Sequence, residues 1–438
     1  MKRELYNKLI AWKNNPNRKP LVLQGARQTG KTFLVTEFGK KEYKNFIYLD
    51  FEKDKNLVSL FSDLLSPQEV LSNISFYTSK AINSKDTLLF FDEIQVAPRV
   101  LTALKYFKEE ASEYHVIAAG SLLGVSVNKS SSFPVGKVNF LQLHPMSFGE
   151  FLMALGEEIM FDKLKSIKNP ESLPEAIHAK LLKYFKIYLF VGGMPETVKS
   201  YIEEGDVSKV RTIQKELLEA YKKDFSKYAS KEQSVKISEL WFSIPRQLAK
   251  ENKKFKYNTV RKNARASYYE QTIEWMKGAG LINVTYNVTS AKLPLSGYSD
   301  LSKFKIYLFD TGLLGAMLNL SSRIIIEPDT LFREYNGAFI ENYVAQELTF
   351  EGHAPLFYWT SKSDAEVDFV IEHENTVFPV EVKSGSNLHA KSLQSYSEKY
   401  NPKMKFRISP RNFILSNSFT NLPLYGVSSI KNIIESQS

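Results

Sequence analysis

The stretch GARQTGKT, Gly25 to Thr32, decides the fold of the first part of this chain. It fits the pattern G-x-x-x-x-G-K-[ST] in full, follows the apolar run Leu21 to Leu23 and precedes the helical sequence TFLVTEFGKK. A strand, a glycine-rich loop and a helix in this order surround phosphate groups with backbone N–H donors. The stretch therefore predicts a nucleotide-phosphate site, with a chance match in a glycine-rich turn as the alternative.

Each residue type in the loop has a part in that chemistry. Gly25 and Gly30 let the backbone close around phosphates, Lys31 neutralises β- and γ-phosphate oxygens, and the Thr32 hydroxyl reaches Mg²⁺. ATP and Mg²⁺ are thus the expected cofactors. The predicted nucleotide-binding residues are Gly25, Ala26, Arg27, Gln28, Thr29, Gly30, Lys31, Thr32, Phe33 and Ser121.

A second motif, LLFFDEIQ, ends an apolar run with Asp92 and Glu93. At this place in P-loop NTPases an aspartate orients Mg²⁺ and a neighbouring glutamate polarises the attacking water. Ser121 ends the run HVIAAGS, where open α/β sheets place ligand contacts; capping of the next turn is the alternative. We predict Lys31, Asp92 and Glu93 as catalytic residues, and Thr32 and Asp92 as metal ligands.

Composition limits the class of protein. The chain has 438 residues, which suggests several domains, and no cysteine, which excludes disulfides, thiolate metal sites and cysteine nucleophiles. No apolar stretch is long enough to span a membrane, and the start MKRELYNKLIAWKNN lacks the apolar segment of a secretory signal. A cytoplasmic protein with no membrane partner is the expectation.

The first part of the chain alternates strand-like and helical stretches. The strand-like runs are PLVLQG, NFIYLDFE, DTLLFFDE, HVIAAGS and VNFLQLHP. This alternation is typical of a parallel α/β sheet, and helical periodicity follows it, interrupted by a turn at VGGMPE. We predict a P-loop ATPase domain at residues 1–160 and a helical, lid-like domain at residues 161–230.

The third segment, residues 231–325, combines helices with a strand pair. SVKISELWFSIPRQLAKEN and KNARASYYEQTIEWMKGAG are helical, and LINVTYNV and KFKIYLFD are strand-like, an order typical of a winged helix-turn-helix. Between Trp241 and Glu270 stand eight Lys or Arg and two Glu, hence +6 of the chain's net charge of +10. DNA is the expected partner, with a protein contact or a solvated basic face as alternatives.

The last segment, residues 326–438, carries a possible second active site. In the strand-like run FPVEVKS, Glu381 and Lys383 project to one face, and Asp368 in EVDFVIE precedes Glu381 by thirteen positions. Strand carboxylates brought side by side can hold Mg²⁺, and a lysine beside them can orient water. We predict Asp368, Glu381 and Lys383 as catalytic and Glu341, Asp368 and Glu381 as metal ligands. A surface ion pair is the alternative for Glu381 and Lys383.

Taken in order, these motifs carry a resemblance along essentially the whole chain. GARQTGKT, FFDEIQ, LHPMSFGEFL, FVGGMPE, KIYLFDTGLL, GAFIENYVAQEL, EVDFVI and PVEVKSG resemble prokaryotic AAA-superfamily ATPases with a C-terminal domain of unknown function. The resemblance implies an AAA-type core, a winged helix and a restriction-endonuclease-like domain of the PD-(D/E)XK type. Gly136 and Lys137 stand where relatives usually have arginine, so Arg27 and Arg99 are weaker candidates for a phosphate-contacting arginine.

The predicted fold class is therefore α/β: an AAA-type parallel-sheet P-loop core, a helical insert, a winged helix-turn-helix and a restriction-endonuclease-like α/β domain. Three functions fit it. An ATPase core could control a DNA-binding, DNA-cleaving region, or it could act as a switch or scaffold with a catalytically silent nuclease-like domain. The third is an ATPase with an unused basic face. The sequence leaves open whether copies form a homo-oligomer.

Overall fold

The computed structural model describes residues 1–61, 66–121, 136–250, 254–321, 337–361, 365–385, 391–416 and 419–437. The chain forms two compact units. The amino-terminal unit comprises Lys2–His144 with Gly278–Gly280, and the carboxyl-terminal unit comprises Pro145–Lys277 and Leu281–Ser438 with Met1. Within the described ranges, no helix has the length and apolar character needed to cross a membrane.

A five-stranded parallel sheet forms the centre of the amino-terminal unit. Its spatial order is β2 (Asn45–Asp50), β3 (Thr87–Asp92), β4 (His115–Ala119), β1 (Leu21–Gln24) and β5 (Asn139–Gln142). Every residue of β3 and β4 is buried, whereas burial alternates along the edge strand β5. Strands covered on both faces read as continuous apolar runs. The predicted parallel α/β core is confirmed.

Within the described part of this unit, four helices cover the two faces of the sheet. They are α1 (Leu5–Asn14), α2 (Lys31–Glu42), α3 (Pro67–Thr78) and α4 (Pro98–Glu110), with 3₁₀ turns at Lys55–Leu60 and Ile94–Val96. Because side chains alternate along a strand, Phe90 packs in a core shared with α1 and α2, while Phe91 packs in a core shared with α3 and α4. The result is three layers with the sheet in the middle.

The carboxyl-terminal unit begins with helices. These are α5 (Phe148–Ala154), α6 (Glu158–Ser166), α7 (Glu175–Val191), α8 (Pro195–Glu204), α9 (Val207–Tyr228), α10 (Lys231–Leu248), α11 (Tyr257–Val260), α12 (Ala266–Gly278) and α13 (Thr311–Met317). The turn expected at VGGMPE separates α7 from α8. Gly192 has φ +74°, and a Cβ on Gly193 would lie 2.1 Å from the Met146 carbonyl oxygen, so both positions require glycine.

An eight-stranded mixed sheet completes this unit. Its spatial order is β12 (Ile414–Leu415), β13 (Thr420–Pro423), β11 (Phe406–Ser409), β10 (Thr376–Val382), β9 (Glu366–His373), β8 (Leu356–Thr360), β6 (Ile282–Val288) and β7 (Ser299–Leu308). The remaining helices are α14 (Ala338–Phe350), α15 (Lys391–Tyr400) and α16 (Ile430–Gln437), with 3₁₀ turns at Leu295–Tyr298 and Leu424–Ser429.

The hairpin predicted as a wing is part of this larger sheet. β6 pairs with β7 antiparallel and with β8 in parallel, so the boundary expected at residue 325 divides strands that share one sheet. Helix α14 strengthens the connection, because the Asn342 amide exchanges two hydrogen bonds with the backbone of Leu308. Local periodicity predicts strands but not which distant strands pair. The four-domain division itself stays a prediction.

Candidate functional site

The glycine-rich loop between β1 and α2 is held in one conformation. Gly25 and Gly30 have φ +149° and +94°, and a Cβ on Gly25 would lie 2.3 Å from the Leu143 carbonyl oxygen. The Thr29 hydroxyl donates to the Ala26 carbonyl at 2.9 Å, and the Arg3 guanidinium donates to the Thr29 carbonyl at 2.8 Å. These contacts fix the conformation of the loop. Its backbone leads directly into the amino terminus of α2, a position that favours anions.

Lys31, the first residue of α2, places its ammonium inside this loop. Its Nζ donates to the carbonyl oxygens of Gly25 at 3.0 Å and Ala26 at 2.8 Å. Burial lowers the pKa of Lys31 to about 8, and the negative charges of Glu93 and Asp92 partly offset this effect. A buried ammonium that donates to carbonyl oxygens is suited to accept an anionic partner.

Thr32 and Asp92 meet at the carboxyl end of the sheet. The Thr32 hydroxyl donates to Asp92 Oδ2 at 2.7 Å, and the backbone N–H of Glu93 donates to Asp92 Oδ1 at 3.0 Å. Burial raises the pKa of Asp92 to about 6, although the hydrogen bond from Thr32 acts in the opposite direction. The two predicted metal ligands therefore lie side by side.

Glu93 has the conformation of a turn rather than of a strand. Its φ of +55° is uncommon for a residue with a side chain, and Gln95 Nε2 donates to its carboxylate. Such backbone positions concentrate at functional sites, where the surrounding structure enforces them.

Two further residues at this edge were missed by sequence reasoning. The register of β2 with β3 places Asp50 beside Asp92, and the Tyr48 hydroxyl donates to Asp50 Oδ2 at 3.1 Å and to Asp92 Oδ2 at 3.3 Å. The sequence did contain a signal for Asp50, because the run NFIYLD ends with an acidic residue, as the run LLFFD does. Carboxyl ends of neighbouring parallel strands meet at one edge.

The other predicted nucleotide residues lie around the same edge. Ser121 follows β4 and is buried, and within the described ranges its hydroxyl has no hydrogen-bond partner. Phe33 is exposed on α2. Arg27 lies 3.5 Å from Glu52, and Lys137, at the position where arginine was expected, forms an exposed ion pair with Glu109 at 2.9 Å. None of these contacts assigns an arginine to a phosphate.

In the carboxyl-terminal unit, Glu381 of β10 and Lys383, which directly follows β10, form an ion pair. Lys383 Nζ lies 2.6 Å from Glu381 Oε1. Burial raises the pKa of the Glu381 carboxyl. Burial is also the largest single influence on Lys383 and acts to lower its pKa, but the charge and hydrogen bond of Glu381, together with the charges of Asp368 and Glu341, outweigh it and raise that pKa. Glu381 Oε2 is buried and accepts no hydrogen bond from any residue that the structure describes. The pair is therefore largely internal, and it differs from the alternative of an ordinary surface pair.

Asp368 lies next to Glu381, as the predicted hairpin requires. β9 and β10 pair antiparallel up to Phe369 and Val380, so the next pair in this register is Asp368 with Glu381. Asp368 Oδ2 accepts a hydrogen bond from the Val382 backbone N–H at 2.8 Å. The hairpin thus brings together the three residues predicted as catalytic.

Lys305 of β7 was not predicted, yet it lies among the same acids. Its side chain is fully buried, and its Nζ lies 2.6 Å from Glu366 Oε1 and 3.9 Å from Glu341 Oε2. Burial by itself lowers the pKa of Lys305, but the charges of Glu341 and Glu366 outweigh it and raise that pKa. The Tyr307 hydroxyl also donates to Glu341 Oε2, at 3.0 Å.

We call this group the carboxyl-terminal cluster. Its members are four acids and two lysines from α14, β7, β9, β10 and the residue after β10: Lys305, Glu341, Glu366, Asp368, Glu381 and Lys383. Among the residues that the structure describes, no three acidic or histidine side chains are arranged to hold one metal ion. The metal-ligand roles of Glu341, Asp368 and Glu381 stay a prediction.

A basic cleft lies near the start of α12. It has a volume of ≈ 430 Å³ and is lined by Arg261, Lys262, Asn263, Ala264, Arg265, Ser267 and Tyr268. Tyr268 is 41% exposed, whereas Tyr269 of the same helix is buried. Within the basic stretch between Trp241 and Glu270, Glu251 and Lys253 lie outside the described residues.

The amino-terminal unit also matches a known family. Residues 17–152 match the model of the AAA domain, and this segment contains the loop, Thr32, Asp92 and Glu93. Residues 17–152 are a P-loop domain of the AAA type. Residues 182–323 and 336–430 match two domains of unknown function, DUF8612 and DUF4143.

Two curated relatives are described as uncharacterized proteins. The chain is 28% identical over 387 residues to the uncharacterized protein MJ1544 of Methanocaldococcus jannaschii, covering 85% of this chain and 76% of that protein. It is 34% identical over 83 residues to the uncharacterized protein Rv2008c of Mycobacterium tuberculosis, covering 19% of this chain and 18% of that one. The match to the mycobacterial protein thus spans less than a fifth of its length.

Solved structures with a related arrangement are more distant. The Walker-type ATPase PABY2304 of Pyrococcus abyssi has a TM-score of 0.44 and 13% identity, covering 73% of this chain and 95% of that one. The Aeropyrum pernix Orc1 protein, solved in complex with DNA, has a TM-score of 0.32 and 12% identity, covering 73% of this chain and 91% of that one.

Proposed function

We propose that the AAA domain binds and hydrolyses ATP with Mg²⁺. The observation that carries this proposal is the contact between Thr32 and Asp92 at 2.7 Å beside the buried ammonium of Lys31. A hydroxyl and a carboxylate are hard oxygen ligands of the kind that Mg²⁺ takes, so this pair fits the ion. Bound Mg²⁺ would neutralise phosphate charge during transfer.

The residues of the chain supply the other parts of the reaction. The loop from Gly25 to Gly30 would surround the phosphates with N–H groups, and Lys31 would exchange its carbonyl partners for phosphate oxygens. Glu93 would orient a water molecule and accept its proton. Ser121, at the end of the neighbouring strand β4, would contact the terminal phosphate.

Phosphate release and nucleotide binding should be measured with the purified full chain. Lys31→Ala is expected to lose nucleotide binding, and Glu93→Gln to keep binding while hydrolysis falls by roughly 10² to 10⁴. Lys40→Ala, an exposed lysine of α2, is the matched control and should behave as wild type. Absence of nucleotide binding by the wild-type protein would reject the proposal.

A DNA-contacting role for the carboxyl-terminal unit is the second part of the proposal. The basic cleft supports it, because three cations line one open surface at the start of α12. The order α10, α11, α12 and β6–β7 agrees with the expected winged helix, and Phe255 donates to the Phe304 carbonyl of β7 at 2.8 Å. Salt-dependent binding of duplex DNA to the full chain tests this role.

For the nuclease-like region, the described contacts favour the silent alternative over metal-dependent cleavage. Glu341 is engaged by Tyr307 and lies beside Lys305, and Glu381 is paired with Lys383. This donor set does not fit a divalent ion, although Glu381 Oε2 has no hydrogen-bond partner within the described ranges. The region would then bind DNA or a protein under control of the ATPase.

Cleavage can be tested directly. Supercoiled, linear and single-stranded DNA should be incubated with the full chain and Mg²⁺ or Mn²⁺, with and without ATP. We expect no cleavage above background. Cleavage that is lost in Lys383→Ala and retained in Lys40→Ala would instead establish the nuclease.

A further inference from the structure

We infer that Lys305 is a built-in counter-ion of the carboxyl-terminal cluster, and that its ammonium takes the place in which metal-dependent sites hold a divalent cation. The inference deepens the proposed silent role of the nuclease-like region. It is independent of ATP hydrolysis, since all of its residues lie in the carboxyl-terminal unit.

The Lys305 ammonium lies between acids of two different elements. Although β6 and β8 lie between β7 and β9 in the sheet, Lys305 Nζ of β7 lies 2.6 Å from Glu366 Oε1 of β9. The same Nζ lies 3.9 Å from Glu341 Oε2 of α14. One cation thus contacts acids from a helix and from a distant strand. A metal ion shared between acids of separate elements makes contacts of the same kind.

This cation cannot leave the cluster. The Lys305 side chain has no exposed surface, and its ammonium lies 4.9 Å from the centre of the Tyr358 ring. A bound metal ion can be removed by dilution or chelation, whereas a covalently attached ammonium cannot. The charge of the acids is therefore compensated under all solution conditions in which Lys305 is protonated.

The Lys305 ammonium also opposes the binding of a second cation. Oxygen ligands lie about 2.0–2.6 Å from Mg²⁺ or Ca²⁺, so an ion bound to Glu341 Oε2 would lie at most about 6.5 Å from Lys305 Nζ. Like charges at that separation in a buried site repel strongly.

The test measures whether removal of Lys305 creates a metal requirement. Mn²⁺ is titrated into the nucleotide-free full chain, both as wild type and as Lys305→Met. Electron paramagnetic resonance counts the bound Mn²⁺, and thermal unfolding is recorded on the same samples. Lys303→Met is the matched control, because Lys303 lies two positions earlier on β7 and its side chain is 57% exposed. A Lys31→Ala background removes nucleotide carried through purification.

We expect millimolar Mn²⁺ to leave the unfolding temperature of the wild type and of Lys303→Met unchanged. Lys305→Met should bind one Mn²⁺ at least roughly tenfold more tightly than wild type and should unfold several degrees higher in its presence, because only the folded state offers the assembled acids. Adding Glu366→Gln to Lys305→Met should abolish the gain in Mn²⁺ affinity and in unfolding temperature.

Two results would overturn the inference. One is a wild-type protein that binds Mn²⁺ at a site lost in Glu381→Gln. The other is a folded Lys305→Met variant that gains no metal affinity. If Lys305→Met does not fold, the inference is decided by comparing the Mn²⁺ titration of the wild type with that of Glu381→Gln. ATP binding is measured on the same variants without the Lys31→Ala change, so failure of the proposed ATPase function is scored separately.

Discussion

The hydroxyl of Tyr48 donates to Asp92 Oδ2 at 3.3 Å, the same oxygen that receives the Thr32 hydroxyl at 2.7 Å. Tyr48 comes from β2, Asp92 from β3 and Thr32 from α2. Two hydroxyls from separate elements therefore orient the carboxylate that we propose for Mg²⁺. Hydrogen bonds to the charged form of an acid favour that form, which counteracts the effect of burial on Asp92.

Tyr48→Phe should shift the acid side of the pH–rate profile. The change removes one hydrogen bond to the Asp92 carboxylate but keeps the ring, which stacks 5.4 Å from Phe90. A long hydrogen bond of this kind contributes about 0.5–1.5 kcal/mol, so we expect the acid limb of kcat/KM to move upward by up to about one pH unit. Tyr77→Phe, which removes a phenol that donates to Asp54 instead, should leave the limb in place.

Asp92→Asn should stabilise the nucleotide-free protein at neutral pH. Burial raises the pKa of Asp92 to about 6 from 3.8, so the folded state favours the protonated acid. The contribution of this group to stability is full below about pH 4 and is lost as the pH rises towards 6, a loss of about 3 kcal/mol at pH 7.

Thermal unfolding at two pH values checks this expectation. The variant should unfold at a higher temperature than wild type at pH 7 and show little difference at pH 4, while Mg²⁺-dependent nucleotide binding is lost. Asp86→Asn, at an exposed ion pair with Lys44, serves as the control. Equal destabilisation at both pH values would contradict the assignment.

The basic cleft should contribute to DNA binding through phosphate contacts. Replacing Arg261, Lys262 and Arg265 by alanine removes up to three such contacts, and the slope of log K against log salt should fall by about 3. Fluorescence anisotropy with a DNA duplex at several salt concentrations measures this slope. A triple variant of exposed lysines elsewhere in the unit, Lys199, Lys215 and Lys223, should leave the slope unchanged.

Asp310→Ala should destabilise the carboxyl-terminal unit. Asp310 is fully buried and accepts hydrogen bonds from the N–H groups of Gly193 at 2.7 Å and Leu313 at 2.8 Å. Each buried donor left without a partner costs about 1–3 kcal/mol, so we expect a loss of about 2–5 kcal/mol in urea unfolding. Asp206→Ala removes an exposed helix cap and should cost only about 1 kcal/mol. Similar losses in both variants would contradict the special role of burial.

The sequence by itself determined the features that depend on neighbouring residues. GARQTGKT is predictive because the conformations of Gly25 and Gly30 and the start of α2 are local properties of the chain. The five strands of the parallel sheet were readable as apolar runs, and the turn at Gly192 and Gly193 as a break in helical periodicity. The short hairpin likewise placed Asp368 beside Glu381.

Only the tertiary structure decided which distant residues meet. Nothing in KFKIYLFD predicts that Lys305 contacts Glu366, because that contact depends on how an eight-stranded sheet orders its strands. The contact of Tyr48 with Asp92 likewise depends on the register of two strands about forty residues apart. Pairing partners are selected by the packing of the whole core, and this non-local free energy leaves no local pattern in the sequence.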